Sequence, residues 1–127
     1  MKTKTLFTIL TFLFSLQLSA SQTIVYAGPV DGLWTVENSP YIIKGAIFID
    51  NHHTLEIEAG ARLIFETNEP MIINGGLVAI GNINDSIRFT ADIQERGWGG
   101  LRFESGLPGS EESILSYCKF DYAIAVG

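Results

Sequence analysis

Two carboxylates are the first residues whose spacing could support chemistry. Glu56 and Glu58 alternate with Leu55 and Ile57 in a short run. Because strand side chains alternate between two faces, both glutamates are predicted on one face. Such a pair could serve in glycoside hydrolysis, but Arg62 follows closely and offers a simple ion pair instead. Nothing in the sequence directs a sugar to these carboxylates, so we predict no catalytic residue.

Histidine and aspartate are the candidate metal ligands. His52 and His53 are adjacent in a polar turn, where their side chains need not converge, and a solvated turn is the simpler interpretation. Asp85, Asp92 and Asp121 are scattered and belong to no metal-binding motif. We therefore predict neither a metal nor a cofactor.

Trp98 is the candidate ligand-binding residue. It lies in Gly-Trp-Gly-Gly, where three neighbours have no side chain to shield the ring. An exposed indole ring could stack on a sugar. The alternative, which the pattern favours, is a tryptophan packed at a tight corner of the chain.

The elements that must position these residues are short strands. Apolar and polar residues alternate over several pieces separated by Gly, Asn and Pro. Period-two alternation predicts that one face of each piece is buried. Many short pieces at similar spacing indicate an all-β chain built of stacked coils.

Asn74-Gly75 admits two interpretations. Between two apolar runs it is a strong hairpin signal. In a stacked coil the same two residues would form a corner with left-handed backbone angles. The surrounding pieces favour the corner.

Four segments carry a resemblance to a known group. They are LEIEAG at 55–60, NGGLVAIG at 74–81, IRFT at 87–90 and GWGGLRF at 97–103. Together they resemble the opening coils of secreted bacterial right-handed parallel β-helix proteins of the pectin-lyase-like group. The resemblance implies a solenoid fold over residues 33–127, of which only the first few coils are present.

The resemblance says little about activity, because the group includes lyases, hydrolases and adhesins. Its polysaccharide lyases typically use a calcium ion and a basic residue, often arginine. Arg88 and Arg102 are conceivable bases, but both fit better as outward-facing strand residues. No family role can be placed on a residue of this chain.

The N-terminal region is typical of an exported protein. Residues 1–21 combine Lys2 and Lys4 with an uncharged apolar centre and small residues, the layout of a secretory signal peptide. Its apolar run is too short for a comfortable membrane span. Residues 22–32 are predicted to be a linker. We expect a secreted or cell-surface protein with no membrane span after cleavage.

The net charge and the cysteine content exclude several kinds of partner and of cross-link. The formal net charge of −6 argues against nucleic acid and anionic membranes as partners. Cys118 is the only cysteine, so no internal disulfide can form. We interpret it as a small buried hydrophobe rather than a reactive thiol.

The last residues, 122–127, are apolar and would leave a stacked sheet uncapped. We therefore expect the N-terminal part of a longer protein, with its own downstream coils as partner. The alternative is a short protein capped by a partner or by self-association. The function predicted is a scaffold that binds polysaccharide or a surface protein. The alternative is the start of a polysaccharide lyase or glycoside hydrolase whose active coils lie downstream.

One pattern recurs at residues 87–90, 101–104 and 118–121. It predicts an inward phenylalanine stack and an outward basic column balanced by acidic neighbours, a solvent face rather than a ligand groove. The uneven spacing also allows two pieces to lie on different faces. The predicted inward residues are Phe89, Phe103 and Phe120, and the predicted outward ones are Arg88, Arg102 and Lys119.

Overall fold

The computed structural model describes residues 21–104 and 108–124. This part consists of short strands and contains no helix. The predicted signal peptide lies outside the described residues, apart from Ser21. In chain order the strands are β1 (Thr23–Val25), β2 (Gly28–Pro29), β3 (Gly32–Trp34), β4 (Tyr41–Ile43), β5 (Ile47–Ile49), β6 (Thr54–Ile57), β7 (Arg62–Phe65), β8 (Met71–Ile73), β9 (Gly76–Ile80), β10 (Ile87–Ala91), β11 (Leu101–Phe103), β12 (Ile114–Ser116) and β13 (Cys118–Phe120).

The strands form three sheets, and every pairing between them is parallel. The first sheet has the order β1-β4-β7-β10-β13, the second β2-β5-β8-β11 and the third β3-β6-β9-β12. Every third strand therefore returns to the same sheet, so that three successive strands make one coil. This topology is consistent with a β-helix solenoid and confirms the prediction of an all-β chain of stacked coils.

The core lies between the three sheets and is built from columns of inward side chains. One column of the first sheet runs through Tyr41, Leu63 and Phe89, which are in register and buried. Arg62 and Arg88, which precede Leu63 and Phe89 in their strands, are exposed, as period-two alternation requires. Each coil thus buries its apolar side chains against the coils above and below it.

Residues 22–32, for which the sequence predicts a linker, instead contribute strands to the first coil. β1 pairs with β4, β2 with β5 and β3 with β6. The backbone N–H of Val30 donates to the carbonyl of Phe48 at 2.9 Å. Parallel pairing to the next coil stabilises a segment whose glycines and proline give it weak strand propensity of its own.

Asn74-Gly75 forms a corner between β8 and β9, which belong to different sheets. The corner prediction is therefore confirmed and the hairpin is excluded. The predicted left-handed angles are wrong, since neither residue has a positive φ. Glycine is required at 75 for another reason: a Cβ there would overlap the carbonyl oxygens of Asp50 and His53.

The phenylalanine stack is confirmed in part. Phe120 lies over Phe89 with ring centroids 4.9 Å apart, whereas Phe103 pairs with Ile73 in the second sheet. The reason is that β10 and β11 are a third of a coil apart, whereas β10 and β13 are a full coil apart. Phe103 and Phe120 are 43% and 44% exposed, because no described strand lies above them.

Candidate functional site

Three cationic side chains form a column on the outer surface of the first sheet. Arg62 of β7, Arg88 of β10 and Lys119 of β13 are in register. Their neighbours Leu63 and Phe89 are buried, so the cations point away from the core. Strands in a sheet lie about 4.8 Å apart, which brings three positive charges into one line, here called the basic column.

The sequence prediction placed Arg102 in this column, and that assignment is wrong. Arg102 lies on β11 in the second sheet, where its outward neighbour is Ile72. Arg62 takes its place because β7 is the first-sheet strand beneath β10. The signal was present in the sequence, since Arg62 precedes a buried leucine as Arg88 precedes a buried phenylalanine.

A groove of about 480 Å³ lies beside the basic column. The corner after β9 shapes its other side. There the side-chain oxygen of Asn82 accepts hydrogen bonds from the backbone N–H groups of Asn84 at 3.0 Å and Asp85 at 2.8 Å, which fixes the turn. The lining residues are Gly60, Arg62, Asn84, Asp85, Ser86, Arg88, Lys119 and Asp121.

The charges of the groove are partly paired. Arg88 Nε lies 2.5 Å from Asp121 Oδ2, so the predicted balancing of basic by acidic residues holds at this point. Arg62 and Lys119 form no ion pair within residues 21–104 and 108–124. Two strand spacings, about 10 Å, separate these two cations along the column, and each could receive an anionic group of a ligand.

Asp85 and Asp121, which the sequence left scattered, lie in this same groove. Asp92 lies elsewhere and pairs with Arg96. Sequence reasoning missed Asn84 and Ser86, whose polar side chains are commonplace in a turn. Only the return of the chain to the first sheet brings this turn beside the cations.

Trp98 is enclosed by the core. It is 0% exposed and stacks on Phe65, with ring centroids 4.2 Å apart. Its Nε1–H donates to the carbonyl of Asp121 at 2.8 Å. The indole therefore presents no free face to a sugar. The packed-corner alternative describes its environment.

The glycines beside Trp98 bring neighbouring backbone close to it instead of leaving its ring exposed. A Cβ at Gly99 would overlap the backbone of Glu69 and Pro70, and one at Gly97 would meet Tyr122 and Ile124. The glycines thus let adjacent coils approach closely. They bring neighbouring backbone onto the tryptophan rather than leaving its ring uncovered.

The remaining candidates do not assemble into a catalytic or metal centre in the described residues. Glu56 and Glu58 are exposed, and Glu58 accepts a hydrogen bond from the backbone N–H of Val36 at 3.2 Å. His53 Nδ1 lies 2.8 Å from Asp31 Oδ2. Over the ranges 21–104 and 108–124, no group of three acidic, histidine or cysteine residues is arranged to hold a metal ion.

Cys118 is half-buried and lies in β13, the last described strand of the first sheet. Its Sγ lies 3.3 Å from the carbonyl oxygen of Ala79. Burial raises the pKa of the thiol above its ordinary value, because a low-dielectric environment disfavours the thiolate. This shift favours the protonated thiol over the reactive thiolate.

Comparisons of the chain with protein-family models, with curated proteins and with solved structures found no match. The affiliation with the pectin-lyase-like group therefore stays a prediction. No helix in the described part of the chain is long and apolar enough to span a membrane.

Proposed function

We propose that this chain belongs to a secreted or cell-surface right-handed β-helix scaffold that binds acidic polysaccharide along its first sheet. The observation that carries the proposal is the basic column, in which Arg62 and Lys119 have no acidic partner among the described residues. The chain as a whole has a formal net charge of −6, so the column places positive charge on one surface of an acidic protein.

A linear acidic polysaccharide has a charge pattern complementary to the basic column. It repeats carboxylate or sulfate groups along one direction, as the column repeats cations from coil to coil. Asn84 and Ser86 add polar groups at the edge of the groove, where sugar hydroxyls could be bound. A parallel sheet keeps the cations at constant spacing, since their backbone positions are held by ladder hydrogen bonds.

The expected binding is weak and sensitive to salt. Ion pairs at an exposed surface contribute about 0–1 kcal/mol each. Charges at this surface are screened over about 8 Å at physiological ionic strength. We therefore expect affinity to come from several sugars bound at once rather than from one strong contact.

Affinity electrophoresis of the mature chain, which starts near Ser21 or Gln22, would test this proposal. Gels containing polygalacturonate should retard the protein at low salt, whereas gels containing neutral dextran should not. The Arg62→Gln/Lys119→Gln double variant should lose most of the retardation.

Arg102→Gln provides the matched control. Arg102 is exposed, lies on the second sheet and pairs with Glu104 at 3.2 Å. Its loss removes one positive charge without touching the column, so retardation should be nearly unchanged. The control removes one charge and the double variant two, so a loss in the control of about half that in the double variant would reduce the effect to net charge. Absence of retardation in the unmodified chain would contradict the proposal outright.

Export through the predicted signal peptide is part of the same proposal. We expect the mature chain to start near Ser21 or Gln22. Mass spectrometry of the exported protein would measure this start directly. An intact N-terminus retained in a membrane would argue against it.

The enzymatic alternative, that these coils begin a lyase or hydrolase, also stays a prediction. We expect no turnover by the chain itself, whether calcium is present or absent. Turnover of acidic or neutral polysaccharides that is lost on substituting Glu56, Glu58 or Arg102 would favour the alternative.

A further inference from the structure

The middle cation of the basic column is occupied by an acidic side chain. Arg88 Nε lies 2.5 Å from Asp121 Oδ2. Arg62 and Lys119 lie on the strands to either side of β10, and neither forms an ion pair within residues 21–104 and 108–124. The column therefore presents two unpaired cations separated by one neutralised position.

The backbone on both sides of the Asp121 side chain is fixed. Its N–H donates to the carbonyl of Phe89 at 2.9 Å, and its carbonyl accepts from Trp98 Nε1–H at 2.8 Å. Both partners are 0% exposed, so the core holds Asp121 beside Arg88. A coil stacked above β13 would extend the column and leave this pair in place.

The spacing of the two unpaired cations determines which sugars they can reach. Two strand spacings, about 10 Å, separate Arg62 from Lys119 along the column. One sugar of an extended polysaccharide advances its chain by close to one strand spacing. A polysaccharide that follows the column therefore places every second sugar beside an unpaired cation, and the sugar between them lies beside Arg88 and Asp121.

The middle position suits a neutral sugar. Arg88 has N–H donors beyond the one directed at Asp121, and the carboxylate has further acceptor sites. Neighbouring hydroxyls of one sugar can accept from the guanidinium and donate to the carboxylate. Asn84 and Ser86 line the same groove with uncharged polar groups. An acidic group placed there would instead meet the negative charge of Asp121, and like charges repel.

We infer that the groove prefers polysaccharides in which acidic and neutral sugars alternate, and that Asp121 sets this preference by neutralising Arg88. The inference rests on the proposed binding of acidic polysaccharide and adds the charge pattern that is bound. Arg62 and Lys119 bind the acidic sugars, whereas Asp121 determines specificity by excluding an anion from the position between them.

Affinity electrophoresis of the mature chain in two polymers tests the charge pattern. Hyaluronate carries a carboxylate on every second sugar, whereas polygalacturonate carries one on every sugar. At equal carboxylate concentration and low salt, hyaluronate should retard the protein at least as strongly as polygalacturonate. Without a preferred pattern, the polymer of higher charge density would be bound more strongly, because its field is stronger.

Asp121→Asn should change this preference. The substitution keeps the shape of the side chain and the backbone hydrogen bonds, and it releases Arg88 as a third cation. The ratio of the affinity for polygalacturonate to the affinity for hyaluronate should rise roughly two- to fivefold, the range that one more exposed ion pair can supply. Arg88→Gln in the Asp121→Asn background should cancel this rise.

Asp92→Asn is the matched control. Asp92 does not line the groove and pairs with Arg96. Its replacement therefore also removes one negative charge and releases an arginine, but away from the column. The affinities for the two polymers should change by the same factor, and their ratio should stay constant.

The possible outcomes separate this inference from the proposed function. Absence of retardation by either polymer would contradict polysaccharide binding itself, and the inference with it. Two other results would overturn the inference and leave the binding of acidic polysaccharide in place. They are stronger retardation of the unmodified chain by polygalacturonate than by hyaluronate, and a ratio that Asp121→Asn and Asp92→Asn change equally.

Discussion

The single residue Trp98 connects successive coils. Its ring lies on Phe65 of β7, and its Nε1–H donates to the carbonyl of Asp121 just after β13. The indole therefore contributes both apolar burial and a hydrogen bond between coils. Trp98 is therefore a structural residue, and loss of its side chain should destabilise the fold.

Trp98→Ala should lower the free energy of unfolding by about 3–5 kcal/mol, since it leaves a large cavity. Trp98→Phe should cost less, because it keeps most of the apolar volume and loses a hydrogen bond worth about 1 kcal/mol. Phe103→Ala, at a residue already 43% exposed, should cost only about 1–2 kcal/mol. Urea titrations followed by fluorescence or circular dichroism would rank the three, and a Phe103 effect as large as that of Trp98→Ala would contradict this packing.

Cys118 should react slowly in the folded chain. Because burial raises the pKa of its thiol, the thiolate fraction at pH 8 is below that of an ordinary cysteine. The alkylation rate with iodoacetamide should therefore be several-fold lower than in urea and should rise as the pH is increased. Equal rates for folded and unfolded protein at pH 8 would show that the thiol is freely exposed.

The corners decide how closely successive elements can stack. Gly75 has an ordinary φ, yet a side chain there would enter the backbone of the preceding corner at residues 50–53. Rigid carbonyl groups cannot move aside as a flexible side chain could. The parallel pairing of β6 with β9 depends on this close approach.

Gly75→Ala should therefore destabilise the fold by about 1–3 kcal/mol through overpacking. The adjacent Asn74→Ala is a suitable control, because it alters the same corner without adding a Cβ and should cost under about 1 kcal/mol. Thermal unfolding of the two variants would measure the difference. Similar melting temperatures would show that the corner can open at little cost.

The first coil allows a test at the scale of the whole molecule. In a solenoid each coil contacts only its neighbours, so the residues 22–34 cover one end of the core formed by the next coil. Deleting them should expose Tyr41, Ile43, Ile49 and Ile57, which are now buried. The deletion should lower the melting temperature by several degrees, and more if the remaining coils do not fold alone. A linker of the same length could be removed without any change.

The sequence by itself determined the class of the fold. It also determined, for most strands, which side chains face the core and which face solvent. Both follow from local chemistry, since alternation with period two and Gly-rich corners act within a few residues. It therefore predicted that Phe89 is buried and Arg88 outward. It also favoured a corner over a hairpin at Asn74-Gly75, because the surrounding short pieces are typical of stacked coils.

Only the tertiary structure decided which strands share a sheet, and the candidate site depends on that choice. Arg62 and Arg88 are 26 residues apart in the sequence yet adjacent in register, while the nearer Arg102 lies on another face. The number of residues in a corner varies from coil to coil. The sequence separation of two residues therefore does not show whether they lie in the same sheet. The strands of residues 22–32 were missed for a related reason, since their order comes from pairing with the next coil.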